Sequence, residues 1–562
     1  MAEDAGPAKA GEEGAVHDAM AEAAAYDAVV VGAGFAGLYM LHRLRGLGMR
    51  ARAFEAGGDV GGTWYWNRYP GARCDVESMQ YSYSFDDALQ QAWRWSERYA
   101  GQPEILRYAN HVADRFALRR DITFDTRVVA AGYDEAGERW EIETSRGARV
   151  SARFLVMATG CLSAGRLPDL PGRESFAGAS FHTSDWPRDG VDFAGQRVGV
   201  IGTGSSAIQA IPVLAAQAGH LVVFQRTANY SVPARNAPLA PEYEQAWKTD
   251  YAARRQAARG ARSGILYEVG TSAALDVPPE EREREYARRW KAGGINMLSA
   301  YTDLLTDADA NETAAEFVRA QIRALVRDRA TAERLAPRDY PIGTKRICLD
   351  TGYFETFNRD NVALVDIRAD PIAAITPGGV RLASGAEHAL DSLVYATGFD
   401  AMTGALLGIA ITGRDGQTLT DAWAAGPRSY LGLMVAGFPN LFTVTGPGSP
   451  SVLSNMIVSI EQHVDWITDC LAWLRERDAA YIEATEAAQD AWVEHVNEVA
   501  HRTLYPRAAS WYMGANVPGK PRVFMPYIGG VGVYRQACDA VAAGGYTGFR
   551  VGGARGAALA AE

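Results

Sequence analysis

Two glycine patterns constrain this chain more than any other feature. Gly32-x-Gly34-x-x-Gly37 follows the apolar run Ala28-Val29-Val30-Val31, and Gly202-x-Gly204-x-x-Ala207 follows Val198-Gly199-Val200-Ile201. One such pattern alone is weak evidence. Here each leaves a strand-like run and enters a helix-like stretch, which is the setting of a dinucleotide-binding turn. The glycines allow a tight turn, close backbone approach to a pyrophosphate, and helix-on-strand packing. The pyrophosphate rests on the helix N-terminus, where unpaired N–H groups and the helix dipole favour negative charge. Two turns of this kind predict a chain that holds two dinucleotides and moves electrons between them.

The residue ending the second strand of each unit reads the ribose. In the first unit this is Glu55, 23 residues after Gly32, near the expected interval of about 20. A carboxylate accepts from a 2′-hydroxyl and repels a 2′-phosphate, so this unit reads as an FAD or NAD site. In the second unit the place is held by Gln225-Arg226-Thr227. Arg226 offers a forked donor pair suited to a 2′-phosphate, so this unit reads as an NADP site.

A chain of 562 residues is expected to form two or three domains. The pattern predicts an α/β fold: two Rossmann-like dinucleotide-binding domains, for FAD and NADP, with a helical insertion in the second. Residues 1–25 read as a disordered tail, 26–163 and 399–551 as the two parts of the FAD domain, 164–233 and 337–398 as the two parts of the NADP domain, 234–336 as the insertion, and 552–562 as a second tail. Within the first unit the helix is expected from Ala36 to Gly46, with Leu38, Leu41 and Leu44 at helical spacing, and the next strand over Arg50–Phe54. A helix is expected over 102–118 and paired strands over 137–159, ending at Ala158-Thr159-Gly160. The second unit predicts a helix over Ser206–Ala218 and a strand over His220–Phe224. A second Ala-Thr-Gly stands at Ala396-Thr397-Gly398. The charge run Glu280–Glu285 in the insertion reads as a solvated helix face.

Composition narrows the function. The net charge of −11 argues against nucleic acid or an anionic membrane surface as partner. The five cysteines are odd in number, far apart and form no CxxC. That excludes a disulfide scaffold and a zinc site, predicts no metal, and fits a reducing cytoplasm. There is no apolar stretch of the roughly 20 residues that span a bilayer, and residues 1–25 lack the pattern of a signal peptide.

Just ahead of the second glycine turn stands Phe176-x-Gly178-x3-His182-x3-Trp186-Pro187. Other distinctive stretches are Gly61-Gly62-Thr63-Trp64-Tyr65-Trp66-Asn67-Arg68-Tyr69-Pro70-Gly71-Ala72-Arg73-Cys74-Asp75, Gly343-Thr344-Lys345-Arg346, Asn358-Arg359-Asp360-Asn361, Gly446-Pro447-Gly448-Ser449-Pro450-Ser451 and Ser510-Trp511-Tyr512. Together these resemble the type I Baeyer–Villiger monooxygenases, nearest the phenylacetone and steroid monooxygenase branch. The resemblance runs from about Tyr26 to Phe549. It is least distinctive in the helical insertion.

The resemblance implies an FAD- and NADPH-dependent enzyme that uses O2 to place one oxygen atom beside a ketone carbonyl. The route is a C4a-peroxyflavin and a Criegee-type adduct, the product an ester or lactone, and some sulfoxidation is expected. Arg346 aligns with the catalytic arginine that stabilises the peroxide and adduct, and Asp75 with its acidic partner. Thr63, Trp64, Tyr65, Trp66, Tyr81, Val128 and Met456 fall where the family contacts FAD. On the NADP side Thr203, Ser205, Ser206 and Gln209 accompany the glycine turn, Arg226, Thr227 and Lys345 take the 2′-phosphate, and Trp511 bonds the nicotinamide cofactor. Cys161, Ser451, Val452 and Leu453, with Met456, line the substrate pocket. Cys161 stands where phenylacetone monooxygenase has a glutamine and Val452 where it has an alanine, which argues against carrying that enzyme's substrate range over directly. His182 and Trp186 lie on the linker into the NADP domain and are expected to couple its motion to cofactor binding rather than do chemistry. The partners implied are a ketone and O2, with a monomer or small homo-oligomer.

Three other classes fit these residues less well. N- or S-hydroxylating flavin monooxygenases share the first part of the fingerprint but lack its Trp-Pro ending and the Arg346–Asp75 pair. A flavin disulfide reductase needs a redox cysteine pair, and none is present. A flavoprotein sensor would not need the catalytic positions that are filled here.

Overall fold

The computed structural model describes residues 24–553, and both tail readings fall almost wholly outside them. The first strand starts at Ala24, where Ala24 and Ala25 pair with Val150 and Ser151. The last strand, Phe549–Gly552, ends one residue into the second tail reading.

The described chain is a mixed α/β fold with two principal sheets. The first has eight strands. Its central strand, Ala24–Val31, is parallel to Ala51–Phe54 on one side and to Arg149–Met157 on the other. Val29 and Val30 are fully buried because both faces of this strand are covered, as parallel strands require. An antiparallel meander of Val128–Asp134, Arg139–Thr144 and Arg149–Met157 extends the sheet, its first strand lying just ahead of the expected pair. Two strands from far along the chain, Ala410–Thr412 and Leu441–Thr443, return to this sheet.

The second sheet is all parallel, in the order Val362–Asp366, His220–Gln225, Arg197–Ile201, Ser392–Tyr395, Ala179–His182. The fingerprint segment therefore supplies its edge strand. A small antiparallel sheet over Ile372–Ala389, absent from the sequence reading, packs its apolar side chains beside Phe224 and Tyr395.

The two fingerprint helices run Phe35–Gly46 and Ser205–Gln217, each starting one residue before its expected bound. Leu38, Leu41 and Leu44 face the core. Arg43 and Arg45 close the last turn of the first helix, where the dipole favours cations.

The insertion is helical, with Pro241–Thr249, Tyr251–Gly260, Pro279–Ala292, Ala308–Leu325 and Arg329–Leu335. Glu280, Glu281, Glu283 and Arg284 are exposed, as the charge run predicts. The insertion is not one body packed on the second sheet. Trp247 and Tyr251 enter the core of the first unit, and buried Arg255 bonds Gln90 Oε1, the Gln80 carbonyl and Ser82 Oγ there. Tyr286, Phe317 and Ile322 instead pack with Tyr230, Val232 and Tyr353 of the second unit. Among the described residues no helix is long and apolar enough to cross a membrane.

Candidate active site

The fingerprint turns lie at the C-terminal ends of their sheets, where open α/β sheets bind ligands. Between them runs one cleft of about 1550 Å³. That exceeds the roughly 300–1,000 Å³ of a site for a single drug-sized ligand, and leaves room for two cofactors.

At the first turn, Gly32 and Gly34 line the cleft. Gly37 lies beneath, and a Cβ there would meet the Gly32 carbonyl oxygen at 1.9 Å. The helix thus lies too close to the strand for any side chain. Glu55 is buried at the end of the second strand, accepting from Ala33 N–H and Gly57 N–H, both at 2.7 Å. Burial raises its pKa against those two donors. Its fixed carboxylate faces the cleft beside Thr126 and Val128, a place suited to ribose hydroxyls. Thr63, Trp64, Trp66, Tyr81 and Met456 line the same end, and Trp64 Nε1 donates to Tyr81 Oη at 3.1 Å.

Tyr65 does not line this cleft. In the one-turn helix Thr63–Trp66 it points the other way, its hydroxyl accepting from Gly58 N–H at 2.9 Å. The Arg68 and Arg188 guanidinium groups lie over its ring, at 4.8 and 5.0 Å. It borders a separate cavity of about 340 Å³ with Asp185, Trp186 and Pro187.

At the second turn Gly202, Thr203, Gly204, Ser205 and Ser206 all line the cleft. Nothing lies within 4 Å of a Cβ built on Gly204, so the open space beside this helix N-terminus fits a pyrophosphate. Gln209 also borders the cleft, but its amide is already used: it accepts from Tyr69 Oη at 2.8 Å and donates to the Arg73 carbonyl at 3.0 Å. It ties the second fingerprint helix to the first unit. Arg226, Thr227 and Lys345 line the far end. Neither cation takes part in a salt bridge among the described residues. Lys345 stacks over Tyr340 at 4.3 Å, and burial and then Arg226 lower its pKa. Arg226 and Lys345 thus both present positive charge to this end of the cleft.

Arg346 lies in the cleft between the two turns. Its Nε donates to Asp75 Oδ2 at 2.8 Å, and its Nη1 to the Val452 carbonyl at 3.4 Å. Burial is the largest influence and opposes its charge, but the Asp75 carboxylate, Tyr512 and Cys348 together outweigh it and hold the pKa above the ordinary value. Asp75 is buried, and its Oδ1 has no protein partner. A permanent, aimed cation thus faces the cleft.

Beyond Arg346 the cleft turns apolar. Cys161, Leu162, Val452 and Trp511 line it, and burial raises the Cys161 thiol's pKa. Ser451 and Leu453 do not line the cleft. Ser451 is fully buried, with its hydroxyl turned to the Thr445 carbonyl at 3.1 Å, and Leu453 packs into the apolar cluster behind.

His182 is on the edge strand, its Nδ1 accepting from Ser184 N–H at 3.1 Å and its Nε2 lying 3.3 Å from Thr397 Oγ1. Trp186 packs on Phe181 and Phe193. Both Ala-Thr-Gly runs reach the cleft. Sequence reasoning missed most of the loop around Trp511: Ser510, Ala515, Asn516, Val517 and Arg522 also line the cleft. It is pinned by Arg166 on the Asn516 carbonyl and by Lys520 on Asp400 at 2.5 Å. The dense Gly and Pro of 514–521 were the available signal for a long functional loop. Among the described residues no group of three or more His, Cys, Asp or Glu side chains could hold a metal ion.

Comparison with known proteins places this geometry. A profile described as pyridine nucleotide-disulphide oxidoreductase matches residues 29–258. A Baeyer-Villiger monooxygenase of Pseudooceanicola batsensis is 44% identical over 525 residues, covering 93% of this chain and 95% of that protein. The chain belongs to the Baeyer–Villiger monooxygenase family. Another relative in it is the acetone monooxygenase (methyl acetate-forming) of a Gordonia species, 44% identical over 93% of this chain and 98% of its own. Among solved structures, an oxidized steroid monooxygenase bound to NADP is 55% identical, with a TM-score of 0.90 over 94% of this chain and 99% of that one. The family and the steroid monooxygenase side of its branch are thus as the sequence motifs implied.

Proposed function

We propose that the chain is an FAD-containing, NADPH- and O2-dependent monooxygenase that inserts one oxygen atom beside a ketone carbonyl to give an ester or lactone. The observation that carries the reading is Arg346, held on Asp75 between the two glycine turns and facing an apolar pocket. FAD is assigned to residues 26–163 and 399–551 and NADP to 164–233 and 337–398, with 234–336 inserted. Glu55 takes the FAD ribose, the N-termini of the two fingerprint helices take the pyrophosphates, and Arg226, Thr227 and Lys345 take the 2′-phosphate.

Bound in this cleft, FAD and NADPH would supply the electrons and the oxygen activated from O2. The chain's own residues do the rest. Arg346 cannot lose its proton, so it offers steady positive charge to oxygen anions forming at the substrate carbonyl. Asp75 aims the guanidinium. The apolar wall of Cys161, Leu162, Val452 and Trp511 excludes water from the reacting carbonyl and favours an apolar ketone. We place the protein in the cytoplasm, as a monomer or small homo-oligomer; its five unpaired, buried cysteines suit a reducing compartment.

The test supplies FAD-loaded protein with NADPH, air and a panel of aryl, cyclic and steroid ketones, with an amine and a sulfide alongside. A product one oxygen atom heavier, identified as an ester or lactone, supports the reading. N-oxide or sulfoxide with no ester from any ketone refutes it.

A further inference from the structure

The segment from Thr445 to Val452 borders the apolar end of the cleft, and both named residues line it. Its backbone is unusual for ordinary residues. Thr445 has φ +56 and Ser451 φ +36, and Leu431 beneath has φ +58. L-residues avoid this region, and such conformations persist only where surrounding contacts hold them.

The contact that holds this one comes from His463, fully buried on the helix Met456–Glu476. Its Nδ1 accepts from Thr445 N–H at 3.0 Å. Its Nε2 lies 2.9 Å from Tyr534 Oη, and the Tyr534 hydroxyl donates to the Leu431 carbonyl. These roles fix the tautomer: Nδ1 is bare, and Nε2–H donates to Tyr534. Burial lowers the pKa to about 3, which keeps the ring neutral. From Thr445 the connections run on toward Arg346. Ser451 Oγ donates to the Thr445 carbonyl, and the Val452 carbonyl accepts from Arg346 Nη1. A residue that merely filled space here would need neither ring nitrogen.

We propose that His463 is a positioning residue for oxygenation, holding the Thr445–Val452 segment so that the Val452 carbonyl and the pocket wall stay in register with Arg346. This rests on the ketone-oxygenation reading above.

The experiment compares FAD-loaded wild type, His463→Leu, His463→Asn and Tyr534→Phe. Asparagine offers Oδ1 in place of Nδ1, and leucine leaves the Thr445 N–H unpartnered. Measured for each are anaerobic flavin reduction by NADPH, ketone KM and kcat, ester and hydrogen peroxide per NADPH, and melting temperature. For His463→Leu we expect flavin reduction within about twofold of wild type, ketone KM up about tenfold, and product shifted severalfold from ester to peroxide, since small misplacements near reacting atoms are costly. His463→Asn is expected to recover most of the ester yield. Tyr534→Phe is expected to shift in the same direction by less. Wild-type KM and ester yield in His463→Leu overturn the inference, as does His463→Asn failing equally badly. If His463→Leu does not fold, an unchanged ester yield in Tyr534→Phe overturns it. A wild type that makes no ester from any ketone overturns the functional reading and this inference with it. Where the wild type does make ester, the variants test the role of His463 alone.

Discussion

Removing the guanidinium of Arg346 separates its role from that of the cofactors. Of its three nitrogens, Nε is committed to Asp75 and Nη1 to Val452, while Nη2 has no bond within the described chain. The side chain is 36% exposed, toward the cleft. An oxyanion about 4 Å from this charge gains about 4 kcal/mol at an effective dielectric of about 20. Loss of one such donor in other enzymes costs about 2.7–4 kcal/mol. At about 1.4 kcal/mol per factor of ten, Arg346→Ala should slow ester formation by about 10²–10³. With Arg346 assigned to the oxygenation step alone, flavin reduction is expected to stay within about fivefold; NADPH oxidation should then end in hydrogen peroxide. Arg346→Lys keeps the charge, but a compact ammonium cannot span both Asp75 and Val452, and should fall between. Stopped-flow flavin absorbance and ester quantification read the two steps separately. Ester formed by Arg346→Ala within about tenfold of wild type would show that the aimed cation is not what drives the step.

Three further outcomes are expected. Arg226→Ala combined with Lys345→Ala should raise the KM for NADPH by about a hundredfold, two lost charge-assisted contacts at about 1.5 kcal/mol each, and leave that for NADH nearly unchanged; an equal loss for both nucleotides would remove the 2′-phosphate assignment. Gly37→Ala, whose Cβ would meet the Gly32 carbonyl oxygen at 1.9 Å, should abolish FAD retention, read as the flavin-to-protein absorbance ratio. Burial raises the Asp350 pKa to about 6. The folded chain therefore binds more protons than the unfolded chain between about pH 4 and 6, and this group costs up to about 3 kcal/mol of stability as pH rises through that window. Asp350→Asn should gain on wild type across it in denaturant titrations, and parallel pH curves for the two would remove the effect.

The parts legible in the sequence were those set by local spacing. The apolar runs before Gly32 and Gly202, and the leucines of the first helix, carry their own period, so element type and face followed. Tyr65 was not legible in this way. In a four-residue helix adjacent side chains diverge by about 100°, and an alignment of Thr63 to Trp66 as one contact run hides that divergence. The inward turn of Ser451 comes from its backbone at φ +36, which residue type does not signal. His463 is invisible for another reason: its partners, Thr445 and Tyr534, lie 18 and 71 residues away in the chain. The helices of the insertion look alike as charged amphipathic stretches. Only tertiary packing shows that the early ones belong to one core and the later ones to the other.

That division has a mechanical consequence. A hinge made of two strand-to-strand crossings leaves two bodies free to swing. A third connection, bolted to one body by Trp247, Tyr251 and Arg255 and to the other by Tyr286 and Phe317, turns the hinge into a linkage. The two anchor sets meet within 261–278: Leu266 exchanges two hydrogen bonds with the Gln80 amide of the first unit, while the Glu268 carbonyl accepts from Arg289 and Ala274 is buried with the second. With so little free chain between them, a rotation that opens the cleft has to break contacts on one side of this junction rather than take up slack.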